Sequence, residues 1–194
     1  MNKLFLSSLL TTAMFSTQSF AGDAGFGIFG AVGQASHDYY DIDESDTSLA
    51  FGGEYRFNTN FAIEARYDDF GTATYNATDE YSTSQVEYSS SAFSGGVKGM
   101  LPLSEQFSLF AKVGLSSWDI DGKVSATSNV LNYSGSSSES VSGTDFYYGF
   151  GGQFLINESL AIGLDYIMLT ADIDLEDAGN YDINNLSLSL AYHF

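Results

Sequence analysis

The sequence has no cysteine, a single proline, and six lysines and arginines against 25 aspartates and glutamates. Without cysteine there is neither a disulfide framework nor a thiolate metal site, and 194 residues suit one domain. The formal charge of −19 excludes nucleic acid as a partner, because a phosphate backbone calls for a basic surface. It equally excludes docking on an anionic lipid surface through a polybasic patch. Long apolar runs are also missing. A helical span needs about 20 apolar residues, and no segment comes close. What is abundant is aromatic and glycine: 16 Phe, 13 Tyr and 20 Gly, a bias that favours an aromatic-rich β architecture.

The start of the chain reads as a secretory signal peptide. Lys3 gives a positive n-region, residues 4–15 a short apolar stretch diluted by Ser and Thr, and Ser19, Phe20 and Ala21 the approach to a cleavage site. Cleavage is expected after Ala21, leaving residues 22–194 as the mature domain.

The last ten residues alternate strictly. Leu186, Leu188, Leu190, Tyr192 and Phe194 fall on one side of an extended strand, and Ser187, Ser189, Ala191 and His193 on the other. As the edge of a soluble sheet such a strand invites aggregation. In a closed barrel set in lipid it is an ordinary wall strand.

Upstream, one hairpin design occurs three times. Each begins with a Gly-Gly pair (Gly52-Gly53, Gly95-Gly96, Gly151-Gly152), passes a tight turn at 58–60, 102–106 or 157–159, and restarts on Phe61, Phe107 or Leu160. Adding a glycine-rich first strand and the terminal strand gives eight strands, expected over 25–36, 47–57, 61–70, 86–101, 107–118, 144–156, 160–171 and 183–194. Each reaches the roughly 9–11 residues that a tilted strand needs to cross a bilayer. The remaining segments, 36–46, 71–85, 119–143 and 172–182, read as long acidic loops with Lys123 as their one cation. The fold expected is an all-β, eight-stranded antiparallel up-and-down transmembrane barrel.

Charge placement tells the inside from the outside. Glu54, Arg56, Glu64 and Arg66 lie on the face opposite Phe51, Tyr55, Ile63 and Tyr67, and later strands put Lys98, Lys112 and Asp165 on the corresponding face. A soluble barrel would spread its cations over the whole exterior. Confinement to one face fits an interior ion-pair network in a bore filled by side chains, with the aromatic-edged apolar face against lipid.

These Gly-Gly hairpins, aromatic restarts and closing Leu-Ala-Tyr-His-Phe resemble the outer-membrane β-barrel domain family that includes the OmpA transmembrane domain and OmpX/Ail-type proteins. The resemblance implies residence in the outer membrane of a Gram-negative bacterium, with outer-membrane lipids and the barrel assembly machinery as partners. It also implies that Leu190, Tyr192 and Phe194 form part of an insertion signal. Stopping at Phe194, the sequence does not carry over the periplasmic peptidoglycan-binding domain of OmpA. Adhesion, host interaction and phage reception through the loops are the roles the resemblance adds.

Catalytic readings find little support. Glu54 is expected directly opposite Glu64, and facing carboxylates can do acid–base work, but the four cations on the same face neutralise them structurally and a filled bore gives substrate no access. His37 and His193 lie near opposite ends and form no Ser-His-acid arrangement. Residues 41–46 are rich in carboxylates but lack the glycine and closing glutamate of an EF-hand, so they read as a solvated acidic loop. No catalytic residue, metal or cofactor is therefore assigned. The expectation is a monomeric, non-enzymatic barrel, with a narrow porin as the alternative and a lipid-modifying enzyme third.

Overall fold

The computed structural model describes residues 24–39, 42–78, 82–128, 133–171 and 181–194. The signal peptide assigned to residues 1–21 lies outside them. Eight strands run in chain order: β1 (Gly25–Tyr39), β2 (Ile42–Arg56), β3 (Phe61–Thr78), β4 (Ser82–Pro102), β5 (Phe107–Ser128), β6 (Tyr133–Leu155), β7 (Leu160–Ala171) and β8 (Tyr181–His193). Each pairs antiparallel with its chain neighbours, and β8 closes on β1, with Val32 opposite Leu188.

The three tight turns share one chemistry. Asn58 Oδ1 accepts hydrogen bonds from the amides of Asn60 and Phe61, Ser104 Oγ from Gln106 and Phe107, and Asn157 Oδ1 from Ser159 and Leu160. A short polar side chain at the first turn position thus replaces backbone pairing and folds the chain back on itself. The aromatic or leucine restart follows directly.

The exterior is apolar over one continuous belt. Its upper limit, on the side away from the turns, is marked on β1 to β8 by the outward residues Val32, Leu49, Tyr67, Phe93, Leu115, Phe146, Met168 and Leu186. The next outward residue on each strand is polar: Gln34, Thr47, Asp69, Ser91, Ser117, Thr144, Thr170 and Asn184. A change at one level on all eight strands marks the edge of the hydrocarbon, since exposed Leu and Phe are tolerated below it and polar groups return above. At the other edge Phe26, Phe57, Phe61, Phe107, Phe154 and Phe194 are all exposed and form the aromatic girdle.

Three of the four long loops expected from the sequence are largely strand. Residues 71–78 and 82–85 extend β3 and β4, residues 119–128 and 133–143 extend β5 and β6, and residues 36–39 and 42–46 continue β1 and β2. Their Ser, Thr and Gly content suggested loops. Yet Val86, Tyr88, Ile120, Val124 and Val141 still alternate with polar residues, and each strand has a neighbour whose ladder is already formed at the barrel wall. Of the fourth, 172–180 lies outside the described residues. One irregularity interrupts the extension. β3 slips register between Asp69 and Thr72 at Gly71, whose φ of +82° is open to glycine at little cost.

Candidate functional site: the bore

The alternation that puts leucine outside puts charge inside. Glu54 and Glu64 are register partners on β2 and β3, Lys98 and Lys112 on β4 and β5, and all four are buried. Each glutamate takes its own lysine. Lys98 Nζ donates to Glu54 Oε2 at 2.9 Å, and Lys112 Nζ to Glu64 at 3.0 Å and to Asp165 Oδ2 at 2.7 Å.

The seven charged residues read from the sequence form two clusters, not one continuous network. Nearer the turns, Glu54 also accepts from Arg56 Nε at 2.8 Å and contacts His193 Nε2 at 3.0 Å. Farther in, Arg66 forks onto Asp68 with bonds of 2.6 and 2.8 Å and reaches Asp165 at 3.2 Å and Glu64 at 3.6 Å. The Phe110 ring stands between the clusters, with Lys98 Nζ 4.5 Å and Lys112 Nζ 5.2 Å from its centroid. A ring face attracts each ammonium and keeps the two like charges apart.

Asp68 belongs to the inner cluster and was missed in the sequence, although its place on β3, two residues beyond Arg66 and on the same face, was visible. His193 points into the bore and joins the turn-side cluster through Glu54. Leaving His193 out of the count, Glu54, Arg56 and Lys98 sum to one positive charge and Glu64, Arg66, Asp68, Lys112 and Asp165 to one negative, so the two clusters cancel.

Above the charges the bore turns apolar, a tier the sequence reading did not foresee. Following inward positions away from the turns, β3 reads Glu64, Arg66, Asp68, Phe70; β5 reads Lys112, Gly114, Ser116, Trp118, Ile120; β7 reads Asp165, Ile167, Leu169. Phe70, Trp118, Tyr147, Leu169 and Ile183 are each at most 3% exposed. The indole Nε1 of Trp118 donates to Asp145 Oδ2 at 2.7 Å. The ring lies over Gly143, where a Cβ would fall 2.5 Å from it. The Gly-Gly repeats gain a reason in the same way: a Cβ on Gly96 would meet the Tyr147 hydroxyl at 2.7 Å, and one on Gly151 the Phe110 ring at 2.5 Å.

His37 closes the top of this tier. Its Nδ1 is 2.9 Å from the Tyr181 hydroxyl and its Nε2 3.1 Å from the Phe70 carbonyl, so both ring nitrogens are engaged. Outside the apolar belt, amides of Thr72 and Thr47 donate to Asp46 and hold its carboxyl below the usual range. Of the 41–46 segment proposed against as a calcium loop, residue 41 and the side chains of 42–44 lie outside the described residues. Among the described residues no group of three His, Asp or Glu side chains is arranged to hold a metal ion.

A closed eight-stranded barrel with a lipid-facing apolar belt and a bore packed with side chains defines the class: a small β-barrel of the outer membrane. Residues 7–194 match the family described as outer membrane protein beta-barrel domain, and the chain belongs to it. It is an outer-membrane protein of a Gram-negative bacterium. No curated protein matches the chain. Among solved structures it is similar to Neisserial surface protein A, with a TM-score of 0.62 at 10% identity over 88% of this chain and 97% of that one. It is also similar to Ail of Yersinia pestis, solved with the heparin analogue sucrose octasulfate (TM-score 0.55, 16% identity, 89% and 99% covered). OprG of Pseudomonas aeruginosa is a third (0.53, 8%, 91% and 98%). At these identities the likeness is one of fold.

Proposed function

We propose that the protein is a monomeric, non-enzymatic barrel that seals its own bore, contributes to the integrity of the outer membrane and offers an acidic surface to partners outside the cell. The observation that carries this reading is the bore itself, filled by paired charges and then by apolar side chains. The ion pairs act as structural filling, and Leu190, Tyr192 and Phe194, all outward and exposed, serve the barrel assembly machinery as an insertion signal.

The partner surface is the part of the strands above the apolar belt. There Asp69, Glu87, Asp119, Asp121 and Glu139 meet one cation among the described residues, Lys123, which lies 3.5 Å from Glu87. The ligand in the Ail complex is a sulfated polyanion. The surface of this chain has the opposite charge requirement and suits cationic partners. Cells carrying the protein are expected to retain a lysine-rich peptide in a salt-sensitive manner and to ignore heparin. Loss of the protein should raise sensitivity to detergent. Retention of heparin, or a deletion with unchanged detergent tolerance, would overturn the corresponding half of the proposal.

A further inference from the structure

We infer that the permeability barrier of this barrel is the apolar tier around Trp118 and Leu169, and that water reaches the turn-side ion-pair cluster beneath it from the turn end of the bore. The inference rests on the filled-bore reading above and assigns the seal to particular residues.

Two observations separate the tiers. A small cavity of about 20 Å³, room for about one water molecule, lies in the turn-side part of the bore between the charged Glu54, Lys98, Lys112 and Asp165 and the apolar Phe29 and Phe110. Its charged walls alternate with apolar ones, and the charged groups supply the polar partners that a water in so small a space needs. The inward residues at that end also grade toward exposure: Ser187 is buried, whereas Ser189, Ala191 and His193 on the same strand are partly open. From Arg66, itself 1% exposed, upward the bore stays closed to solvent. Trp118 and Tyr147 are 1% exposed, Phe70 and Leu169 2%. These side chains come from β3, β5, β6 and β7, so they meet from several sides of the wall rather than lining one.

The chemistry of the two tiers favours this division. An ion pair in contact with water can be solvated part by part, and an ion passing it exchanges one charged partner for another. An apolar constriction offers a passing ion nothing in return for its hydration shell, and such constrictions close pores by excluding water. The seal therefore lies where hydration is least replaceable. Opening it needs polar groups as well as space, because a purely apolar hole stays dry.

The test is a set of three proteins in planar bilayers, each checked for folding by heat-modifiable gel migration. Trp118→Ser with Leu169→Ser is expected to carry a steady current that the parent lacks. Glu54→Gln with Lys98→Gln, which removes a charge pair at nearly constant volume, is expected to stay silent. A conducting charge-pair variant beside a silent serine variant would overturn the assignment while leaving the filled-bore reading intact. A conducting parent would overturn that reading instead. Because the sequence has no cysteine, a single Ser189→Cys gives an independent readout even if the serine variant fails to fold. A small charged thiol reagent should label it from the turn side of oriented vesicles and not from the opposite side. Labelling from the opposite side would place the seal elsewhere.

Discussion

Arg66→Ala is expected to cost about 3–5 kcal/mol of folding stability, the range for breaking a buried pair and leaving charge uncompensated. Arg66 is 1% exposed and contacts three carboxylates, those of Asp68, Asp165 and Glu64. Without it, three buried anions share Lys112 alone. Arg66→Lys should recover only part of the loss, because an ammonium cannot reproduce the two parallel bonds of 2.6 and 2.8 Å to Asp68. Arg56→Ala is the internal comparison. Its side chain is 19% exposed, so water replaces much of what it gives Glu54 and the effect should be clearly smaller. Reversible urea unfolding from phospholipid vesicles measures all three, and equal stabilities for Arg66→Ala and the parent would remove the inner cluster as a stabilising element.

The second large effect concerns the outer face. Leu188 is 57% exposed and sits in a row with Val32 and Leu164, its register partners on β1 and β7, all three outward. Leu188→Arg places a cation within the hydrocarbon and should cost roughly 2–4 kcal/mol if it lies near the midplane. Ser189→Arg, one residue on, points into the bore, and its penalty should come from crowding near Gly163, where even a Cβ would lie 2.6 Å from Ser189 Oγ. The two are separable by host lipid. Thinning the bilayer should lessen the Leu188→Arg penalty, because the guanidinium reaches the interface sooner, and leave Ser189→Arg unchanged.

The wall of the barrel was legible in the sequence because each strand repeats the same alternation. Turn residues at Asn58, Ser104 and Asn157 punctuated it, and the confinement of four cations to one face identified the inside. Three features were not legible. The strand extensions hid behind serine and glycine, whose low propensity is overridden when a neighbouring strand supplies a preformed ladder, as Ser134 to Ser142 pair with Thr127 to Asp119. The division of the charges into two clusters depends on Phe110, a residue that the alternation marks only as inward. The apolar tier consists of inward Phe70, Trp118, Leu169 and Ile183, which break the rule of polar inside and apolar outside on which the sequence reading relied.

The most direct measurement of the central claim is the conductance of the unmodified protein, purified, folded as judged by heat-modifiable migration, and inserted in a planar lipid bilayer. A bore closed by paired charges and an apolar tier predicts no steady ohmic current at either polarity. A large, reproducible open-channel current would contradict the account and establish the barrel as a narrow porin.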